Sequence, residues 1–271
     1  MVKLDYTHAE ITSFPDGLTS LIRKALSHIG AIESKYTSDD GSGNPLPNKI
    51  LFKFPGIPMR FHYILWKDVN STTGRLNFYS YRPTADEFSG SYNFDSPDTS
   101  KLADGSSPDR TYLYSNSYIQ PDLTKDDIYI AVSPTTFFIV TKNSSNKGLI
   151  YELQDSNIVF KYFVNPNYSS HLFGTPSNDR GSHVHMLGLT ESYHFSGYNL
   201  RTPDGKLPVL PAYGYTYSYI YVMFPIPGFF VSTTDVSNLT DYPVTYSGET
   251  FTLFGANYRD GFLGFAKGNE F

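Results

Sequence analysis

IYIAVSPTTFFIVTKNSSNKGLIYELQDSNIVFKYFV, residues 128–164, is the longest run with an uninterrupted strand signature, and its reading decides the fold class. Four β-rich segments, 128–133, 137–142, 149–153 and 158–164, are bounded by turn formers: Ser133-Pro134, the run NSSNKG at 143–148 and QDSN at 154–157. A strand has a period of two, so Ile128, Ile130 and Val132 fall on one face and Tyr129 and Ala131 on the other. Short strands separated by short polar turns predict an antiparallel meander.

The rest of the chain supports a mainly β protein. Its 271 residues suffice for one large β domain or two smaller ones with a sizeable core. The aromatic share, 17 % with 23 Tyr and 21 Phe, equals the charged share, so surface and core both lean on aromatics, hydroxyls and amides. That balance is the opposite of a disordered composition. A net charge of −5 without any Lys/Arg cluster disfavours nucleic acid as a partner, because that binding rests on clustered cations neutralising phosphates. The absence of cysteine rules out disulfides and thiolate metal sites. The opening MVKLDYTHAEITSFPDG has no apolar core of signal-peptide length, and no apolar run approaches the roughly 18 residues of a membrane span. The expectation is a soluble, unexported protein. Asn70, Asn143, Asn167 and Asn238 stand in N-x-Ser/Thr contexts and read as ordinary loop asparagines.

The first element read from the N-terminus is an amphipathic helix. Leu18, Leu21, Ile22, Ala25, Leu26 and Ile29 recur at helical spacing on one stripe, opposite Thr19, Arg23, Lys24 and Ser27. Ser13 or Asp16 can cap its start, and Gly30 ends it after His28 in the last turn. The stripe either packs on a sheet of the same chain or forms a subunit interface, with Leu18, Leu21 and Ile22 as candidate contacts. After a Gly/Pro-rich loop at 38–48, residues 50–54, 59–67 and 76–81 read as strands, the last two as a hairpin. His62 belongs to a mixed strand face and reads as a structural side chain.

Residues 84–108 are poor in aliphatics and rich in Ser, Asp, Gly and Pro, the composition of a long functional or mobile excursion. Asp95 and Asp98 within it lack the ligand spacing of a calcium loop. Residues 165–210 are irregular and hold the concentrated histidines His171, His183, His185 and His194. His183 and His185 on a strand would point to one side with Glu191 and His194 nearby, a set whose chemistry allows a metal. It resembles the first motif of cupins, but five residues separate His185 from Glu191, and no histidine of a second motif follows His194. No metal or other cofactor is expected.

YGYTYSYIYVMF, residues 213–224, alternates Tyr213, Tyr215, Tyr217, Tyr219 and Tyr221 against small and branched residues. A tyrosine ladder suits a protein interface or a sugar-stacking platform, and Tyr215, Tyr217 and Tyr219 are the candidate contacts. Residues 249–254 and 262–266 predict a terminal hairpin. The expected division is 1–164, the helix plus a β core, and 165–271, the histidine-containing segment and C-terminal strands, packed on the same core as one unit. There is no G-x-S-x-G elbow, P-loop, dinucleotide fingerprint or cysteine nucleophile, so no enzyme is expected.

The order of LTSLIRKALSHIGAI, GIPMRFHYILWKDVNSTTGRLNFYSY, DIYIAVSPTTFFIVTKNSSN, VFKYFVNPNYSSHLFG and ETFTLFGANYRDGFLGFAKG resembles virion structural proteins of tailed bacteriophages, of the tail, neck or baseplate type. The resemblance spans most of the chain at the level of layout. The expected fold is mainly β, a β-sandwich-like antiparallel core with one N-terminal helix and long loops. The resemblance implies a non-enzymatic building block of the virion, made in the bacterial host cytoplasm. Its partners would be other virion proteins and copies of itself in a symmetric ring or collar. A glycan-binding module of an adsorption apparatus, using Tyr215, Tyr217 and Tyr219, is the second expectation. A cupin-like metal enzyme on His183, His185, Glu191 and His194 is the third.

Overall fold

A computed structural model describes residues 2–12, 16–33, 49–55, 61–68, 74–81, 126–141, 146–152, 159–165, 168–173, 183–186, 210–217, 223–232, 242–246, 248–255 and 262–271. In chain order, β1 (Leu4–Ile11) is followed by α1 (Asp16–His28), β2 (Ile32–Glu33), β3 (Lys49–Lys53), β4 (Phe61–Asp68) and β5 (Gly74–Tyr81). The meander then supplies β6 (Asp126–Ser133), β7 (Thr136–Thr141), β8 (Asn146–Glu152) and β9 (Val159–Asn165). After it come β10 (Tyr168–Phe173), β11 (His183–Met186), β12 (Leu210–Tyr217), β13 (Met223–Ser232), β14 (Tyr242–Tyr246), β15 (Glu249–Gly255) and β16 (Phe262–Glu270). The protein is mainly β with one helix among the described residues, as its patterning predicts.

Twelve strands share one sheet in the order β1-β6-β7-β8-β9-β10-β11-β12-β13-β16-β15-β14, and β1 also pairs with β16. That extra pairing closes a circuit of ten hydrogen-bonded strands: β1, the eight from β6 to β13, and β16. Strands β15 and β14 continue from β16. A second sheet of four strands runs β2-β3-β4-β5. Every pairing is antiparallel except β1 with β16, which is parallel. The predicted hairpins at 59–67 with 76–81 and at 249–254 with 262–266 form as β4–β5 and β15–β16.

The meander strands β6, β7 and β8 are buried on both faces, which explains their nearly continuous apolar sequence. One face presents Ile128, Ile130, Val132, Phe137, Ile139 and Ile150, packed in a single core with the α1 stripe and with Ile50, Phe52, Phe54 and Ile64 of the second sheet region. The rings of Phe52 and Phe137 stand 6.3 Å apart across the two sheets, and this face-to-face packing is the sandwich-like part of the fold. The other face aligns Tyr6, Ala131, Phe138 and Leu149 across β1, β6, β7 and β8. Phe138 meets Phe229 of β13 at 5.3 Å and Phe265 of β16 at 6.0 Å, both edge-on. Those strands are not neighbours of β7 in the sheet, so the sheet curls until distant strands share one aromatic cluster.

Helix α1 ends as its sequence dictates. Gly30 adopts φ 70°, its N–H donates to the Ser27 carbonyl at 3.0 Å, and the Ala31 N–H donates to the Leu26 carbonyl at 2.9 Å, the paired bonds of a Schellman cap. Leu18, Leu21 and Ile22, expected as candidate interface contacts, are at most 7 % exposed and packed inside their own chain. The hydrophobic effect draws the stripe onto the β6–β7 face, leaving these three side chains no surface for a partner.

Two further readings change. A strand, β1, precedes the helix; its polar sequence LDYTHAEI hides it, because only Leu4, Thr7 and Ile11 are buried. The predicted single strand at 213–224 is divided, with β12 ending at Tyr217 and β13 beginning at Met223 and folding back so that Tyr215 stands opposite Met223. A run of alternating tyrosines fits a hairpin as well as one long strand, since period two sets faces and not turns.

Candidate functional site at the junction of β1, α1 and β16

A set of charged and aromatic side chains gathers where β1, α1, β6 and β16 meet. Strand β1 is long and well paired on one side, with seven register positions from Asp5 opposite Val132 to Ile11 opposite Asp126 on β6. On its other side it meets β16 only at Leu4 with Lys267 and Tyr6 with Glu270, with an irregularity between them. So sparse a backbone ladder depends on side chains to hold it.

Asp5 supplies the central contact. Its Oδ1 accepts the backbone N–H of Asn269 at 2.8 Å, while Oδ2 accepts from His28 Nε2 at 2.9 Å, so one carboxylate joins β1, β16 and α1. Burial pushes its pKa up, but the hydrogen bonds from His28 and Asn269 and the His28 charge outweigh that and hold it below the ordinary value of 3.8. Gly268 makes the approach possible: a Cβ there would sit 2.5 Å from Asp5 Oδ1 and 3.0 Å from the Leu4 carbonyl oxygen. The His28 ring stacks on Phe271 with centroids 4.0 Å apart and 6° between planes. Lys24 donates to the Phe271 carbonyl at 2.9 Å and lies over its ring, and the Phe271 N–H donates to the Tyr6 carbonyl at 3.0 Å.

The opposite face of β1 repeats the arrangement. His8 pairs with Asp127 of β6 and stacks on Tyr129 at 4.1 Å. The Tyr6 hydroxyl donates to Glu270 Oε2 at 3.1 Å, and Lys267 lies 4.9 Å from the Tyr6 ring centroid. Burial, then the hydrogen bond and the charge of Glu270, raise the Tyr6 phenol above its ordinary value. Lys3 pairs with Glu249 of β15 at 2.6 Å, extending the ties to the arm beyond β16. Each imidazole is thus engaged by one carboxylate and one aromatic face, an arrangement suited to fastening elements together.

The residues singled out in the sequence lie elsewhere. His183 and His185 stand on β11 opposite Tyr217 and Tyr215 of β12, which brings the two histidine positions and two of the ladder tyrosines into one strand pair. His171 stands on β10 opposite Phe163. Tyr219, Tyr221, Glu191, His194, Asp95 and Asp98 lie outside the described residues. No group of three or more His, Asp or Glu side chains able to hold a metal occurs among the described residues. His62, read as a member of a mixed strand face, is fully buried beside Phe52 and Phe54, with ring centroids 5.4 Å and 4.8 Å away. No helix among the described residues is long and apolar enough to cross a membrane.

Sequence reasoning passed over Asp5, His8, Asp127 and Glu270. The usable signal was the alternation of Leu4, Tyr6 and His8, which marks a strand, but nothing local marks its partner near residue 270. No protein-family model, curated protein or solved structure matches the chain.

Proposed function

We propose that the protein is a structural component of a tailed-phage particle, in the tail, neck or baseplate, assembled with copies of itself and with other virion proteins through aromatic-rich contacts. The observation that carries this reading is the cross-tying of the two ends of the described chain. β1 pairs with β16 to close one circuit of strands, and Asp5, Tyr6, Lys24 and His28 tie that seam, which supports reading the protein as a building block. The layout of the sequence supports the same reading through its resemblance to virion structural proteins. Obligate copies in such a particle bury large, comparatively apolar surfaces, and rotational symmetry lets one heterologous contact close a ring.

The test joins two measurements. Size-exclusion chromatography with light scattering is expected to give a defined oligomer, and mass spectrometry of purified particles is expected to find the protein at a fixed copy number. A strictly monomeric protein that is absent from particles overturns the proposal.

A further inference from the structure

We infer that Asp5 is an acid-sensitive latch that holds the ten-strand circuit closed between β1 and β16. The inference goes beyond the proposed particle role and stands on the geometry of the junction. The β1–β6 side rests on backbone pairing along seven register positions, whereas the β1–β16 side has two, reinforced by the Phe271 N–H bond to the Tyr6 carbonyl and by side-chain bonds, among which the Asp5 carboxylate takes the Asn269 N–H. Protonation removes the charge that both the Asn269 N–H and the His28 imidazole address, so it weakens the β16 and α1 ties together. It leaves the β1–β6 ladder, which needs no side chain, in place. With 34 % of its side chain exposed, Asp5 is within reach of solvent protons.

The charged surroundings favour local release over general collapse. Near Asp5 in the chain stand Lys3, just before β1 and paired with Glu249 of β15, and on β1 itself Tyr6, His8, paired with Asp127 of β6, and Glu10. From α1 come His28 and Lys24, the latter bonded to Thr7 Oγ1 and the Phe271 carbonyl, while Arg23 is held by Glu33. From β16 come Lys267 and Glu270, both engaged with Tyr6. Among these groups Asp5 is the carboxylate that links β1 to both α1 and β16. Its pKa, lowered by His28 and Asn269 despite burial, agrees with a carboxylate that these contacts keep charged.

Hydrogen exchange of the full chain, read peptide by peptide and corrected for the intrinsic effect of pH, tests the latch. Between about pH 6 and about pH 3, a span that brackets the carboxylate range, residues 267–271, which face β1, are expected to lose protection several-fold while residues 136–141 keep theirs. Asp5→Asn, which keeps the shape without the charge, is expected to give low protection at 267–271 with no acid step. His28→Gln is expected to move the step to higher pH, since it removes a donor that keeps Asp5 charged. Loss of protection at 267–271 in step with 136–141 overturns the latch, as does an unchanged acid step in Asp5→Asn. Should Asp5→Asn fail to fold, His28→Gln decides alone: an unmoved midpoint overturns the latch, and an upward shift supports it.

Discussion

The meander centre and the β1–β16 junction hold the same sheet by different means. Strands β6 to β8 are apolar on both faces and lie under α1 and the second sheet on one side and the Phe138 cluster on the other. The junction is half-exposed and polar, fastened by the carboxylates of Asp5, Asp127 and Glu270, two imidazoles, a phenol and lysines. Burial is non-directional and insensitive to pH, so the meander needs only the right volumes on the right faces. Charge-assisted bonds are directional and titratable, so the junction specifies which strand meets which at little cost in apolar surface. One region supplies the stability of the fold, and the other fixes its closure.

The largest expected effect lies in the meander. Phe138 is fully buried and its ring touches two strands across the curl, so Phe138→Ala is expected to cost about 3–5 kcal/mol, read as a lower midpoint in denaturant. A loss smaller than that of any junction variant would break the contrast. Next comes the close approach beside the junction, where Gly228 holds φ 82° and a Cβ would lie 3.0 Å from Leu4 Cγ. Gly228→Ala is expected to destabilise by about 1–3 kcal/mol, from backbone strain and the displacement of Leu4, measured by thermal unfolding.

The junction is expected to respond to acid where the meander does not. Because the folded-state pKa of Asp5 lies below its ordinary value, the unfolded chain binds more protons in that window and stability rises with pH across it. The stability difference between the wild type and Asp5→Asn is therefore full above about the ordinary value of 3.8 and closes as pH falls through the lowered one. Denaturant titrations at several pH values check this; a gap independent of pH would assign Asp5 a purely steric role. The smallest effect is expected from Lys3→Gln, which removes an ion pair whose side chains are 46 % and 33 % exposed. It is expected to cost about 0–1 kcal/mol and to fade further with added salt.

Local pattern made much of the fold legible. Alternation in 128–164, the helical stripe from Leu18 to Ile29 and the turn formers between them gave the meander, α1 and two hairpins, because strand and helix periods are written in neighbouring residues. The same patterns could not say what the stripe packs on, and Leu18, Leu21 and Ile22 turned out to face the protein's own core. The division of 213–224 was equally hidden, since alternation survives a turn.

By itself, the sequence determined that this is a mainly β protein with a capped helix and an antiparallel meander. Closure of the circuit was decided by tertiary structure alone. Tyr6 and Glu270 meet across a sequence separation of 264 residues. No local period encodes that meeting; it follows from how the sheet curls and from the polar groups that fit once its ends arrive together.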